Sequence, residues 1–373
     1  MRDIDKFRGC LVGGAVGDAL GYAVEFRSES EIFGAYGPRG ITEYELQGGV
    51  AQISDDTQMT MFTATGLLLG TTRGQLRGIM AGYEDYVRLS YRDWYRTQTE
   101  RFPLPEDYHY SWLVNVPELF SRRAPGNTCL SALQSGEEAS IERPINHSKG
   151  CGGVMRVAPV GLYFAQNRVP IAASDRIGAE AAAITHGHPL GWLPAAALAH
   201  IIRRLIEREG EPVLAAVQEA ADALPETFPD AAHADDMQQL LHRAVELSAS
   251  DLEDLDAIHR LGQGWVGDEA LAIAVYCALK HPDSFGDAVV ASVNHRGDSD
   301  STGAITGNIL GAALGLQAIP QKYLDHLELK DVLLELADDL YSDCPLEEYG
   351  GESDPVWEAK YVRMDYGRSK RRL

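Results

Sequence analysis

The chain has 373 residues, and its 55 Asp and Glu residues outnumber its 33 Lys and Arg residues, giving a formal net charge of −22. This charge argues against broad binding to nucleic acids or anionic membranes, because phosphate contacts need clustered cations. The five cysteines are scattered and form no C-x-x-C pair, which is typical of reduced thiols. The first residues lack the apolar core of a signal peptide, so we expect a cytoplasmic protein, and we expect it to be a monomer.

Helical periodicity dominates the sequence, and strand-like alternation is nearly absent. We predict a single compact all-α domain over residues 1–341 and a loop-rich C-terminal extension over 342–373. Other loops, rich in Gly, Pro and polar residues, are predicted at 34–52, 100–128 and 140–152. The predicted helices cover residues 5–21, 57–70, 74–96, 128–136, 153–166, 170–184, 190–208, 212–223, 233–248, 252–262, 267–280, 284–293, 301–316 and 330–341.

Two of these helices carry glycine at every fourth position. The residues are Gly9, Gly13, Gly17 and Gly21 in the first helix, and Gly303, Gly307, Gly311 and Gly315 in the helix near residue 310. Glycine inside a helix costs about 0.5–1 kcal/mol relative to alanine, so such rows need a packing reason. Rows of this kind form a shallow groove, and we expect both helices to lie deep in the core, in contact with each other. The apolar run in the first helix contains Asp18 and is too short to span a membrane.

Two stretches combine paired carboxylates with hydroxyls just before an apolar helical run. The first is Ser54-Asp55-Asp56-Thr57, and the second is Asp298-Ser299-Asp300-Ser301, with Ser301 and Thr302 as the predicted helix cap. Each stretch alone could be a set of capping residues. Ordinary caps rarely need paired aspartates twice, and close carboxylates repel unless a cation lies between them. We therefore predict that the two stretches converge on divalent cations that prefer oxygen ligands, such as Mg²⁺ or Mn²⁺.

Other turns and segments carry residues that have both a structural and a functional interpretation. Glu25 follows the first helix as either a surface partner of Arg27 or a general acid or base. The glycine-rich turn at 150–156 is either a packing turn or an anion-binding loop ahead of a helix. In Thr185-His186-Gly187-His188, hydrogen bonding is favoured over zinc binding, since no further ligand lies near in sequence. The aromatic segment 83–123 is either a core-facing stripe or a lid or partner contact.

These stretches together resemble the ADP-ribosylglycohydrolase family. The matching motifs are Gly-Asp-Ala-Leu-Gly at 17–21, Ser-Asp-Asp-Thr at 54–57, Gly-Gly-Val-Met-Arg at 152–156, Thr-His at 185–186 and Gly-Asp-Ser-Asp-Ser-Thr-Gly at 297–303. The resemblance implies an all-α fold with a dinuclear Mg²⁺ or Mn²⁺ centre in a cleft. One departure is His147, which lies where bacterial relatives often carry an acid.

The resemblance also implies roles for individual residues. The metal ligands it implies are Ser54, Asp55, Asp56, Asp298, Asp300 and Ser301. The catalytic residues it implies are Glu25, Asp55 and Asp56. The residues it implies for binding ADP-ribose are Gly150, Cys151, Gly152, Gly153, Val154, Met155, Thr185 and His186, with Trp265 added on weaker grounds.

The implied activity is hydrolysis of the bond between ADP-ribose and a modified protein side chain, with arginine favoured as the acceptor. The anomeric carbon would be attacked by water through an oxocarbenium-like transition state. Three alternatives stay open. These are a dinuclear phosphohydrolase acting on nucleotides, a non-catalytic ADP-ribose-binding protein, and an immunity protein that binds an ADP-ribosyltransferase toxin as well as reversing its damage.

Overall fold

The computed structural model describes residues 3–79, 81–105, 108–166, 169–347 and 353–368. These residues form 17 α-helices and four short 3₁₀ helices, and within the same ranges the only β-pairing consists of three isolated bridges. The α-helices are α1 (Ile4–Tyr22), α2 (Glu29–Tyr36), α3 (Asp55–Arg77), α4 (Tyr83–Thr99), α5 (Asn127–Ser135), α6 (Ala158–Phe164), α7 (Ile171–Ala183), α8 (Pro189–Glu207), α9 (Val213–Thr227), α10 (Ala234–Ser248), α11 (Asp254–Leu261), α12 (Gly267–Lys280), α13 (Phe285–Val293), α14 (Ser299–Leu314), α15 (Gln321–Leu324), α16 (Lys330–Ser342) and α17 (Pro355–Tyr361). The predicted all-α class is confirmed.

Helices α1 and α14 pack against each other in the centre of the molecule, as the glycine rows predicted. A Cβ built on Gly13 would lie 2.5 Å from the carbonyl oxygen of Gly307, and Gly9 and Gly17 face Gly311 and Gly303 in the same way. Only hydrogen side chains leave room for backbones this close. Because the two rows run antiparallel, the C-terminal end of α1 lies beside the N-terminal end of α14.

Helix α3 is longer than predicted, because Gly70 does not interrupt it. The helix continues to Arg77 and ends at Gly78, which adopts the left-handed conformation with φ of 67°. A Cβ on Gly70 would lie 2.9 Å from the Tyr86 ring, so this glycine makes room for α4 and does not mark a break. Helix α2 was also missed, although Ser28 and Glu31 form a capping box at its start.

The C-terminal extension contains a helix where only a loop was predicted. Helix α17 packs on α3 and α16, and the indole Nε1 of Trp357 donates to Thr72 Oγ1 at 2.9 Å. The buried ammonium of Lys360 lies 2.7 Å from Asp339 and 2.8 Å from Glu335. Short amphipathic segments are hard to identify by periodicity alone, since one turn presents too few apolar positions. No helix in the described ranges is long and apolar enough to cross a bilayer.

Candidate active site

The two acidic stretches form the N-terminal ends of α3 and α14. Ser54 caps α3 by accepting the amide of Asp56 at 3.2 Å, and Asp298 caps α14 by accepting the amide of Ser301 at 3.3 Å. The predicted cap at Ser301 and Thr302 is therefore wrong, because α14 starts at Ser299. Both helix dipoles direct their positive ends at the aspartates, which favours ionised carboxylates there.

The packing of α1 against α14 brings these two helix ends to one cleft. A Cβ on Gly21 would lie 2.6 Å from the Cα of Asp300, so the end of α1 touches the backbone that carries this aspartate. The cleft has a volume of about 360 Å³, and its walls include Glu25, Asp55, Asp56, Asp298, Asp300 and Ser301. The predicted convergence of the two acidic stretches is confirmed.

The carboxylates of this cleft are buried and close together. One carboxylate oxygen from each of Glu25, Asp298 and Asp300 lies within 4.8 Å of the others. Burial, followed by the charges of Asp300 and Asp55, raises the pKa of Glu25 to about 10. Burial and the same kind of like-charge repulsion raise the pKa values of Asp55, Asp56 and Asp300 well above the usual range.

This donor set fits divalent cations. Glu25 Oε2 and Asp56 Oδ2 are both buried without a hydrogen-bond partner in the described part of the chain. An orphaned buried carboxylate oxygen is costly unless a cation neutralises it. Hard oxygen donors with two hydroxyls nearby suit Mg²⁺ or Mn²⁺ better than softer metals. The Glu25 carboxyl belongs to this set and not to an ion pair with Arg27, whose guanidinium contacts Tyr36 and Glu45.

A second wall of the cleft is the glycine-rich turn, which is fixed to the segment that carries Trp265. The amide of Cys151 donates to the carbonyl of Trp265 at 3.3 Å, and the Cys151 thiol donates to Asp298 Oδ2 at 2.7 Å. Gly150, Cys151, Gly152 and Met155 line the cleft. Gly150 is the residue before a short 3₁₀ helix and Gly152 lies within it, which leaves backbone close to any ligand in the cleft.

His186 lines the cleft, and its ring is hydrogen-bonded to the buried hydroxyl of Thr185. The Arg156 guanidinium, which can only donate, contacts Thr185 Oγ1 at 2.7 Å, and that hydroxyl lies 2.8 Å from His186 Nδ1. The Thr185 hydroxyl has one proton and two acceptors within reach, His186 Nδ1 and, at 3.5 Å, the Ala182 carbonyl, and His186 Nε2 faces the glycine-rich turn, near Gly150 and Gly152. Burial and the charge of Arg156 lower the pKa of His186 to about 3, so the ring is neutral. The neighbouring His188 caps α8 by accepting the amide of Leu190, which agrees with the preference for hydrogen bonding over zinc.

Two exposed aromatic rings form the mouth of the cleft. Phe26 is 75 % exposed and Trp265 is 38 % exposed, and their rings are stacked at 5.8 Å between centroids with 20° between planes. Phe26 follows Glu25 directly in the chain. The backbone around Trp265 is also fixed to α14, because the Asp298 amide donates to the Gln263 carbonyl at 2.8 Å. These rings therefore lie at a set position relative to the carboxylates.

Some predicted site residues lie behind the cleft wall. Ser54, Gly153, Val154 and Thr185 are buried and do not line the cleft. Sequence reasoning assigned no site role to Phe26, Asn127 or Thr128, which do line it. Asn127 and Thr128 follow a Pro-Gly turn at the start of α5, and this position ahead of a helix was the available signal.

Comparison with known proteins agrees with the motifs. The family model for ADP-ribosylglycohydrolase matches residues 1–349. An uncharacterized protein of Archaeoglobus fulgidus is 28 % identical over 350 residues, covering 90 % of this chain and 96 % of its own length. The ADP-ribosyl-[dinitrogen reductase] glycohydrolase of Rhodospirillum rubrum is 26 % identical, covering 89 % of this chain and 97 % of its own length.

Two further proteins are similar. The ADP-ribosylarginine hydrolase Tri1 of Serratia proteamaculans is 26 % identical, covering 93 % of this chain and 81 % of its own length. A solved structure of an ADP-ribosylglycohydrolase-related protein complex matches with a TM-score of 0.55 and 24 % identity, covering 91 % of this chain and 98 % of that chain, and it supports the fold. Because the family model covers nearly all of the sequence, the chain belongs to the ADP-ribosylglycohydrolase family.

Proposed function

We propose that this protein is a divalent-cation-dependent hydrolase that removes ADP-ribose from modified protein side chains, with arginine as the favoured acceptor. The observation that carries the proposal is the meeting of five buried carboxylates, from Glu25, Asp55, Asp56, Asp298 and Asp300, on the wall of one cleft. Two bound cations, Mg²⁺ or Mn²⁺, would hold the ribose hydroxyls and lower the pKa of a water molecule.

Different residues of the cleft suit different parts of the substrate. The backbone of the glycine-rich turn and the Nε2–H tautomer of His186 would suit the diphosphate, because they offer neutral donors that need no counter-charge. The Asn127 and Thr128 side chains add polar groups to the cleft wall, where the Thr128 hydroxyl lies 3.1 Å from Ser148 Oγ, beside the glycine-rich turn. The ribose would then lie over the carboxylates, where its two hydroxyls meet oxygen ligands.

In the reaction, water adds its oxygen to the anomeric carbon and the bond from that carbon to the guanidine nitrogen breaks. Glu25, Asp55 or Asp56 accepts the proton that the water loses, since these carboxylates border the cleft. The guanidine nitrogen keeps the electron pair of the broken bond and takes up one proton, which balances the proton that the water loses. The products are ADP-ribose and unmodified arginine, and atoms and charge balance.

The arginine preference rests on the cleft mouth. A protein side chain must enter from solvent, and the exposed rings of Phe26 and Trp265 lie beside Glu25 at that entrance. A guanidinium is planar and cationic, so it can stack on an aromatic face and gain roughly 0.5–2 kcal/mol. A serine acceptor offers neither a plane nor a charge to these rings.

The test compares peptides carrying arginine-linked and serine-linked ADP-ribose, each with Mg²⁺, Mn²⁺ or a chelator. We expect cation-dependent release of intact ADP-ribose, fastest from arginine, and a rise in KM for the arginine-linked peptide in Trp265→Ala that exceeds the rise for the serine-linked one. Release of AMP would identify a phosphohydrolase. Binding of ADP-ribose without any release would identify a non-catalytic binding protein.

A role as a toxin-binding immunity protein has weaker support. It relied on the aromatic segment 83–123 as a contact surface, yet Tyr91, Trp94 and Trp112 of that segment are buried in the core. Tyr108 is the exception at 60 % exposure.

We propose a cytoplasmic monomer, and size-exclusion chromatography with light scattering tests the oligomeric state.

A further inference from the structure

Asp18 is a buried carboxylate near the C-terminal end of the apolar helix α1, and the cleft wall does not include it. It accepts hydrogen bonds from the first residues of α3. The Ser54 amide lies 3.0 Å from each of its two oxygens, and the Thr57 amide lies 3.1 Å from Oδ2. The Thr57 hydroxyl makes a further short hydrogen bond to the same oxygen.

These bonds join α1 to the helix that carries Asp55 and Asp56. Ser54 uses its own hydroxyl to accept the Asp56 amide, so the amides of Ser54 and Thr57 need an acceptor from elsewhere. Asp18 supplies that acceptor from another helix. The start of α3 is thereby held at a fixed distance from α1.

The same turn of α1 also holds the other acidic helix end. Gly21, three residues after Asp18, packs against the backbone of Ser299 and Asp300. One turn of α1 therefore contacts the N-terminal ends of both α3 and α14. Its geometry sets the separation between the two pairs of aspartates.

A carboxylate at position 18 is costly because it is buried and repels the nearby carboxylates, and only its hydrogen bonds offset that cost. Burial raises the pKa of Asp18 to about 6, and its charge raises the pKa values of Asp55, Asp56 and Glu25 further. An asparagine would avoid this repulsion, but it has one acceptor oxygen and would direct an NH₂ group at an amide or hydroxyl donor. Both carboxylate oxygens are in use here.

We propose that Asp18 is a positioning residue that sets the spacing of the Asp55–Asp56 and Asp298–Asp300 pairs for divalent cations, without contacting the cations itself. The proposal rests on the proposed function, because it assumes that these pairs bind cations. The Gly-Asp-Ala-Leu-Gly stretch would then hold the two pairs of aspartates at a set distance from each other, which neither pair can do alone.

The experiment measures Mn²⁺ binding to the full-length protein by calorimetry, together with the melting temperature without cation. The variant is Asp18→Asn. The matched control is Asp175→Asn, which also alters a buried aspartate that spans two helices, through its bond of 2.9 Å to His200. Both variants should lower the melting temperature. Only Asp18→Asn should weaken Mn²⁺ binding, by at least tenfold, with the number of bound ions unchanged.

Mn²⁺ affinity within twofold of wild type in Asp18→Asn would overturn the proposal, and so would the loss of one whole Mn²⁺ site, which would make Asp18 a ligand. If Asp18→Asn does not fold, Thr57→Val removes one of the bonds and should weaken Mn²⁺ binding, whereas Thr57→Ser keeps the hydroxyl and should bind as wild type does. Equal binding by the two Thr57 variants would also overturn it. A wild-type protein that binds no Mn²⁺ would instead refute the proposed function.

Discussion

Replacing Gly21 by alanine should displace the backbone that carries Asp300. The added Cβ would lie 2.6 Å from the Asp300 Cα, and ordinary contact between carbon atoms needs about 3.5 Å or more. The opposing atoms are backbone and cannot rotate away, so the start of α14 must move by roughly 1 Å. A shift of that size at a reacting centre can cost about 10²-fold in rate, and we expect Gly21→Ala to lose about that much activity.

The Gly21→Ala variant should also be less stable than the wild-type protein. Overpacking costs about 1–3 kcal/mol, and the helix propensity of alanine offsets about 0.5–1 kcal/mol. We expect a net loss of about 1 kcal/mol in the free energy of unfolding, measured by urea denaturation followed by circular dichroism. Gly34→Ala is the matched control. That glycine lies in α2 with nothing within 4 Å of its Cβ position, so alanine there should stabilise the protein by about 0.5–1 kcal/mol.

A third variant separates packing from chemistry. Gly13→Ala meets the Gly307 carbonyl at 2.5 Å, two turns of α1 away from the cleft. It should lose stability as Gly21→Ala does but retain more of the Mn²⁺ affinity. If Gly21→Ala keeps wild-type activity and Mn²⁺ affinity, the inference that this contact positions Asp300 is wrong.

Three more results are expected. Asp56→Ala should reduce ADP-ribose release on the order of 10²–10³-fold while making the cation-free protein more stable, because the variant removes a carboxyl whose pKa is held well above its value in the unfolded chain; lower stability in urea would contradict this. Mn²⁺ affinity measured by calorimetry should rise from pH 6 to pH 8, because the raised pKa of Glu25, about 10, keeps its carboxyl protonated until a cation displaces the proton; a flat profile would refute the assignment. Lys360→Met should lower the free energy of unfolding, measured in urea, by about 3–5 kcal/mol, because it leaves buried Asp339 without its cation. Arg208→Met removes an exposed ion pair and should cost about 1 kcal/mol or less. Equal losses in the two variants would contradict the buried pairing.

The raised carboxyl pKa values also fix the sign of the stability change with pH. In the cation-free protein the folded state holds protons on Glu25 and Asp56 that the unfolded chain releases near pH 4. Stability is therefore greatest at low pH with respect to these groups, and it falls as the pH rises toward their folded-state pKa values. Cation binding should reverse that loss, so the melting temperature should gain more from Mn²⁺ at pH 8 than at pH 6.

The convergence of the acidic stretches could be predicted from the sequence because the glycine rows and the paired aspartates both indicated it. The glycine rows have no local benefit, so their period could only be explained by a second helix, and this identified α1 and α14 as partners. The paired aspartates were equally informative, because Asp55 with Asp56 and Asp298 with Asp300 repel each other unless something compensates.

What the sequence could not reveal depends on contacts between distant segments. Asp18 was visible as one charged residue in an apolar helix, but its acceptor role requires knowing that the start of α3 lies beside it. The aromatic pair at the mouth joins Phe26 to Trp265, which are remote in sequence. Helix α17 was missed because its stability comes from Trp357 and Lys360 packing on α3 and α16, and not from its own periodicity.

The antiparallel pairing of α1 with α14 has a consequence for synthesis. Helix α1 is synthesised long before its partner, which begins at Ser299, so its glycine face stays uncovered until the ribosome has added the residues between them. Until then Asp55 and Asp56 have no opposing carboxylates, and a nascent or prematurely terminated chain cannot assemble the cleft. The connectivity thus restricts an assembled cleft to chains that extend past α14, and it leaves an early apolar surface for chaperones to shield.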